Sequence, residues 1–342
     1  MDKHVLIIGG GVAGLEAGCR LAQSGYSVSL YEKDRKGGHI NDWFRLFPDR
    51  RDSMEVMHYF EKLITESGLK ITSGESVDRI SEDKRKFLAH TVSGKEISAD
   101  AVVIATGFDL FKSSRKEEYG YGIYDNVISS ADLELMFRQG KIKKTDGTSP
   151  KKIGIIHCVG SRDEKVGNLY CSKLCCVTAV KQAIEIKEHD TGCKVFCFYM
   201  DMRMGGAHYE ELYREAQEQW GVNFIRGKVS EVSESVKGAL VTKVEDTLLG
   251  RPLRMELDML VLMAGMEMSE AGKKLAAASG LETGENRFFR SADNHYGSNR
   301  SNKEGIFYAG TCTMPMNVTE TISHARAVVP EVINYLNGRS QS

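Results

Sequence analysis

Four thiols crowd one short region of the chain. Tyr170–Cys176 reads YCSKLCC and supplies Cys171, Cys175 and Cys176, while Cys158 stands thirteen positions before Cys171 in HCVGSRD. Three chemistries use thiols placed like this. A [4Fe–4S] cluster takes four cysteine thiolates. Structural zinc also takes four, but zinc is redox-inert. Any two thiols could form a redox disulfide, although no C-x-x-C spacing is present. A helix N-terminus and the nearby Lys173 would keep thiolates ionised. Cys171 and Cys175 can share a helix face, whereas Cys176 points away from Cys175 in regular helix. If all four meet, part of this stretch is irregular. Packing without any ligand is the remaining reading. The other four cysteines look plainer: Cys19 belongs to a helix core, and Cys193 and Cys197 share one face of a strand. Cys312, in AGTCTMP, is either packed or a further redox thiol.

A second constellation lies at the N-terminus. In IIGGGVAGLEA, Gly9, Gly11 and Gly14 fit G-x-G-x-x-G between a strand and a helix. The first glycine permits the tight turn, the second admits a pyrophosphate, and the third lets helix and strand pack closely. The helix N-terminus offers unpaired N–H groups to the phosphates. Glu32 ends the next strand, eighteen positions after Gly14, where an acid can bond a ribose. The pattern predicts a dinucleotide site.

The elements that must position these residues repeat. KHVLIIGG, YSVSLYEKD, LKITSG and ADAVVIATG read as strands, with helices in GVAGLEAGCRLAQSG and SMEVMHYFEKLITESG. The second half has the same order: strand KKIGIIHC, a mostly helical CSKLCCVTAVKQAIEIKEH, strand CKVFCFYMD and helix GGAHYEELYREAQEQWG. VNFIRGKVSEV then parallels LKITSGESVDRI, and ELDMLVLMAG parallels SADAVVIATG. The expected fold class is therefore α/β, with two dinucleotide-binding-type, Rossmann-like domains and mainly parallel sheets. The tail from Gly305 reads as strand, turn and closing helix and belongs with the first domain. The expected domains are 1–149 with 283–342, discontinuous, and an inserted 150–282 that carries the cysteines. The turn after KKIGIIH has no second G-x-G-x-x-G. Ligands of open α/β sheets bind at the carboxyl ends of strands, so the thiols stand where a nicotinamide nucleotide would bind.

Composition narrows the classes. The 342 residues are 41% hydrophobic and 27% charged, with a formal net charge of −1. That balance gives no reason to expect nucleic acid or an anionic membrane surface as partner. No apolar run suggests a membrane span, and a strand begins too early for a signal peptide. A reducing cytoplasm is the expected location, where clustered cysteines bind metal or do redox work more often than they form structural disulfides.

Two resemblances extend the reading. ATG at Ala105–Gly107 and the late GIFYAGT resemble the second and third signatures of two-dinucleotide-domain flavoproteins such as the thioredoxin reductase family. That resemblance implies thioredoxin-reductase-like architecture and FAD as the dinucleotide. Beside Gly9, Gly11, Gly14 and Glu32, it implies a flavin set of Val12, Ala13, Lys33, Gly38, His39, Val77, Ala105, Thr106, Gly107, Gly310, Thr311 and Thr319. The family places an acid after the late AG, where this chain has Thr311.

GGGVAGLEAG, EEYGYG…NVISS, CVGSRD…YCSKLCC, GGAHYEELYREAQEQWGVNFIRG and FYAGTCTMP resemble the A-type subunit of heterodisulfide reductase over most of the chain. That family implies an FAD-binding, iron–sulfur electron-transfer protein, with Cys158, Cys171, Cys175 and Cys176 holding a [4Fe–4S] cluster. It also implies partner subunits that work on thiols or disulfides, a possible sulfur-carrier protein, and a homodimer. Ferredoxin-like modules and cysteines after FP, both present in longer relatives, are absent here. The short form is similar to the heterodisulfide-reductase-like complexes of sulfur-oxidising bacteria. No residue stands out as a dedicated acid or base. The rival readings are a stand-alone NAD(P)H-dependent flavin disulfide oxidoreductase and an assembly module that holds FAD only for structure. Tyr119–Gly122 reads as packing, and Arg203 and Arg226 as surface salt bridges.

Overall fold

The computed structural model describes residues 3–338. Among them are α1 (Val12–Gln23), α2 (Met54–Ser67), α3 (Ser130–Arg138), α4 (Cys175–His189), α5 (Tyr209–Glu218), α6 (Glu270–Ser279) and α7 (Val318–Gly338). The chain divides into two compact units. The first comprises Met1–Asn41, Met54–Asp109 and Glu267–Ser342, and the second Asp42–Ser53 and Leu110–Met266.

The first unit is built on a five-stranded parallel sheet in the order Ile306–Tyr308, Ala101–Ile104, His4–Ile8, Ser27–Glu32, Lys70–Ser73. Its central strands are short, continuous apolar runs because helices cover both faces of such a sheet. Val5, Leu6, Ile7 and Ala101–Ile104 are wholly buried. Helix α1 is buried at every position from Ala13 to Cys19, as befits a helix enclosed on all sides. A Cβ at Gly14 would run into the Gly9 carbonyl, so glycine there lets α1 sit close on the first strand. Glu16 is the one charged group on this inner stretch. It accepts hydrogen bonds from Arg20 (3.0 Å), Tyr59 (2.9 Å) and Arg326 (2.6 Å), tying α1 to α2 and α7. A three-stranded antiparallel sheet, Val77–Asp83, Lys86–Thr91 and Glu96–Ala99, completes the unit.

The second unit repeats the plan. Its parallel sheet runs Asn223–Arg226, Lys194–Tyr199, Lys152–Val159, Met259–Ala264, Val127–Ser129. An antiparallel sheet of Val229–Glu234, Leu240–Asp246 and Arg251–Leu257 follows Asn223–Arg226, as the first unit's antiparallel sheet follows Lys70–Ser73. The expected α/β class and the internal repeat are thus borne out.

The compact units have limits other than the 149/150 and 282/283 expected from the sequence. Val127–Ser129 pairs with Met259–Ala264, which draws the chain from Leu110 onward into the second unit. Asp42–Ser53 joins it as well: Arg45 and Arg50 pair with Glu188, Arg50 also pairs with Glu215, and Phe47 meets Tyr209 edge-on. Helix α6 (Glu270–Ser279) belongs to the first unit, where Ser279 Oγ accepts from the Ile80 N–H at 2.8 Å.

Candidate functional site

The glycine turn of the first unit forms a cradle. Gly9 adopts a φ of +106°, open to glycine alone. Its N–H donates to the Tyr31 carbonyl at 2.8 Å, and a Cβ there would strike the Ala105 carbonyl. At Gly11, by contrast, a Cβ would meet no protein atom within 4 Å. Gly11 is the N-cap of α1, and no side chain caps that helix. Its first N–H groups are therefore available to an anion. Gly38 approaches this opening, its Cβ position lying 3.3 Å from Gly11 Cα, while the Gly37 N–H donates to the Gly10 carbonyl at 2.7 Å. Gly310 (φ +75°) lies against Ala13, and Gly107 (φ +66°) faces Thr311 Oγ1 at 3.8 Å from its Cβ position. Thr106 Oγ1 is buried without a hydrogen-bond partner. A glycine turn with open space at Gly11 and an uncapped helix N-terminus fit a dinucleotide phosphate.

The expected flavin residues do not all stand alike. Gly9, Gly11, Ala13, Gly14, Ala105, Gly107, Gly310 and Thr311 converge, with Val12 as the first residue of α1. Glu32 uses its carboxylate to accept from the Gly10 N–H (2.5 Å) and the Asp34 N–H (2.8 Å), so it also clamps the glycine turn. Lys33 pairs with Asp34 at the surface. His39 Nε2 lies 2.9 Å from the Phe108 carbonyl, and the two rings meet at 4.5 Å. Val77 is buried at the start of its strand, and Thr319 is exposed in the first turn of α7. Cys312 is buried, and its thiol donates to the Ile104 and Ala309 carbonyls. Burial pushes that thiol up to about 12, which suits packing better than redox chemistry.

In the second unit the corresponding turn is long. Residues 160–174 separate strand Lys152–Val159 from α4, where residues 9–11 suffice between His4–Ile8 and α1. Cys158, the last residue but one of the strand, has a φ of +58°, at an irregularity in its register with Met259–Ala264. Arg162 and Lys173 in the same loop also have positive φ. Left-handed backbone costs an ordinary residue about 1 kcal/mol, so strain is concentrated here. Cys171 precedes the helix, and its sulfur accepts from the Lys173 N–H at 3.2 Å. Helix α4 opens with Cys175 and Cys176. The irregularity required for the four thiols to approach one another is thus present.

Cys175 and Cys158 share a hydrogen bond, which holds the Cys158 thiol below its ordinary value. Burial opposes this, and Arg162 and Arg203 assist it. The same bond, with burial and neighbouring sulfur charge, pushes Cys175 up. Burial raises Cys176 to about 11, and its thiol donates to the Asp201 carbonyl at 3.5 Å. All eight cysteines are unbridged. Among the described residues, no group of three or more histidine, cysteine, aspartate or glutamate side chains is arranged to hold a metal ion. The donor set has the chemistry a cluster needs, but it is gathered around a thiol pair and does not close on one ion.

Several residues support this loop without having been evident in the sequence. Lys116 is almost wholly buried and pairs with Asp163 (2.6 Å) and Glu118 (2.7 Å). Ser161 Oγ donates to the Tyr170 carbonyl and accepts from the Ser172 N–H, and Ser172 Oγ accepts from the Met266 N–H. His157 is buried with neither ring nitrogen hydrogen-bonded, and burial pushes it down to about 4. Nothing in HCVGSRD marked these braces, because Lys116 reaches Asp163 and Ser172 reaches Met266 across long stretches of chain. Arg226 pairs with Asp201, the salt-bridge reading, and Tyr119 is buried, the packing reading. Arg203 is exposed.

This pair of dinucleotide-type folds is shared with known enzymes. Residues 3–142 and 176–328 match the model of the pyridine nucleotide-disulphide oxidoreductases, and the chain belongs to that family. Residues 143–175, which carry Cys158, Cys171 and Cys175, fall outside the match. The expected resemblance to the A-type subunit of heterodisulfide reductase is borne out. The A-type iron-sulfur subunit of CoB–CoM heterodisulfide reductase from Methanocaldococcus jannaschii is 31% identical over 97% of this chain and 64% of its own length. The A-type subunit of the H2/formate:CoB-CoM heterodisulfide, ferredoxin reductase from Methanococcus maripaludis is 30% identical over the same shares. The chain thus spans less than two thirds of these relatives. Among solved structures, Lactococcus lactis thioredoxin reductase superposes with a TM-score of 0.72 at 17% identity, covering 99% of this chain and all of that one. T. acidophilum thioredoxin reductase gives 0.69 at 19%, covering both chains completely. These likenesses bear out the thioredoxin-reductase-like fold. Among the described residues, no helix is long and apolar enough to cross a membrane.

Proposed function

We propose that this chain is an FAD- and iron–sulfur-dependent electron-transfer component of a heterodisulfide-reductase-like complex in the cytoplasm, acting in sulfur-compound oxidation. One observation carries the reading. The long loop 160–174, with three of the four thiols at its borders, stands where a pyridine-nucleotide enzyme would carry a short phosphate-binding turn. The named relatives, one of them an iron-sulfur protein, support the same reading. In it, the first unit holds FAD. Gly9, Gly11 and Gly14 with the α1 N-terminus take the pyrophosphate, and Glu32 takes the ribose with lone pairs not used by the glycine turn. Ala105, Thr106, Gly107, Gly38, His39, Gly310 and Thr311 border the remainder. Cys158, Cys171, Cys175 and Cys176 hold a [4Fe–4S] cluster, and Arg162 and Arg203 offset its thiolate charge. A flavin takes electrons in pairs and releases them singly, whereas a cluster carries one, so the two together link two-electron to one-electron steps. Partner subunits of the complex, a sulfur-carrier protein and a second copy of the chain are the proposed partners.

The test is chemical analysis of protein purified without oxygen. Iron and acid-labile sulfide should reach about four each per flavin, with an EPR signal after dithionite that Cys171→Ala abolishes. Gly11→Ala, whose added methyl meets no protein atom, should fold normally but lose FAD. Bound FAD with no iron after reconstitution would refute the relay. Rapid NAD(P)H oxidation by the isolated chain would favour a stand-alone disulfide oxidoreductase.

A further inference from the structure

Helix α7 places His324 against the turn Gly310–Cys312, which the flavin reading puts beside the cofactor. Gly310 has a φ of +75° and is wedged between helices: a Cβ there would strike Ala13 of α1 and crowd Thr321 of α7. Its carbonyl accepts from the Thr313 N–H and hydroxyl. Its own N–H donates to His324 Nδ1 at 2.9 Å. A backbone N–H can only donate, so Nδ1 is the unprotonated nitrogen and Nε2 carries the proton. The ring's bond to the Ser298 backbone is then left to Nε2. Asn299 ties the helix to the strand before the turn, its Nδ2 donating to the Tyr308 carbonyl at 2.9 Å and to the His324 carbonyl at 3.1 Å. One tautomer of one imidazole thus fixes the backbone that leads into Thr311.

We propose that His324 is a positioning residue of the flavin site: its bare Nδ1 holds Gly310, and through it Thr311, in the backbone conformation that receives FAD, and a proton on that nitrogen releases the turn. This role rests on the reading of the first unit as an FAD site. A protonated Nδ1 would aim its N–H at the Gly310 N–H and leave both donors unmet. Burial holds the imidazole below its ordinary value, against the Ser298 bond, so the ring is neutral and the turn held at neutral pH. The other titratable groups on the elements around it are engaged or kept neutral. Burial pushes the Tyr308 hydroxyl and the Cys312 thiol up. Arg300 pairs with Glu331, Arg20 and Arg326 pair with Glu16, and the Glu320 carboxylate accepts from the Asn317 N–H.

The test is FAD titration of the full chain, followed by flavin fluorescence between about pH 5 and pH 8. Affinity should be flat near neutrality and fall on acidification. His324→Asn puts a side-chain oxygen close to where Nδ1 stands, so it should keep the neutral affinity and lose the acid fall. His324→Leu removes the acceptor. It should weaken FAD about tenfold at neutral pH, the scale of one N–H left unmet, because fewer molecules hold the competent turn. A flavin-free readout accompanies these and serves if His324→Leu does not fold. In the apoprotein the Gly310 amide resonance should move through the same acid transition and stay fixed in His324→Asn. An acid fall undiminished in His324→Asn, FAD affinity unchanged in His324→Leu, or a Gly310 amide that ignores the His324 titration would overturn the inference. An apoprotein that shows the Gly310 transition but binds no FAD at any pH would instead refute the flavin reading, and with it the cofactor role of His324.

Discussion

Single residues in the thiol loop differ in chemistry although they are alike in type. Cys158 accepts a hydrogen bond from Cys175 and faces Arg162 and Arg203, while Cys176 is pushed up to about 11 by burial. Reactivity follows the thiolate fraction. In metal-free, reduced protein, iodoacetamide should therefore label Cys158 before Cys176, with the Cys158 rate rising at a pH below the usual thiol range. Cys175→Val removes the donor and should move that rise upward. Mass-spectrometric mapping across pH checks both, and equal labelling of the two cysteines would count against the arrangement. The four thiols and the three fingerprint glycines were legible in the sequence, because each is marked by local spacing. His157 and Lys116 were not. Their significance comes from burial among strands and loops distant in the chain, and nothing in HCVGSRD or SSRKEEY states it.

At the scale of elements, two buried helical carboxylates, Glu16 and Glu185, give the fold opposite pH dependence. Burial alone would raise Glu16, but Arg326, Arg20 and Tyr59 outweigh it and hold it below its ordinary value. Its stabilisation is present above the unfolded value, near 4.5, and is lost as pH falls through the lower folded value. Glu16→Gln should cost about 2 kcal/mol at neutral pH, less than a fully buried pair because both arginines are partly exposed. That cost should shrink on acidification in urea melts. Glu185 on α4 behaves conversely. Burial raises it to about 7, opposed by Lys181 and aided by Glu134. A raised folded value means stability is lost as pH climbs from about 4.5 to about 7. Glu185→Gln should therefore raise Tm relative to the parent above pH 7, with the difference vanishing below pH 4.5. A pH-independent difference would show that Glu185 titrates alike in the folded and unfolded chain.

At the scale of the molecule, each unit is assembled from separated segments. Phe307, Ala309, Ala325, Val328, Val332 and Leu336 all enter the core of the first unit, though the second unit's longest segment precedes them. Each large side chain among them contributes about 1.5–3 kcal/mol on burial, against a net stability of roughly 5–15 kcal/mol for a whole domain. A chain ending after Met266 should therefore lose the cooperative melting of the first unit in calorimetry and bind no flavin. An unchanged melting profile would mean that the tail is dispensable. The sequence by itself determined the two repeated α/β halves, the glycine turn, the absence of a second fingerprint and the crowding of the thiols. All of these rest on periodicity or spacing within a few tens of residues. Only the tertiary structure decided which unit Asp42–Ser53 and Val127–Ser129 join. It alone set the Cys158–Cys175 pair and buried His157 with neither ring nitrogen hydrogen-bonded. Strand pairing and burial depend on which distant segments meet, and a short edge strand such as VIS carries too little pattern of its own to name its neighbour.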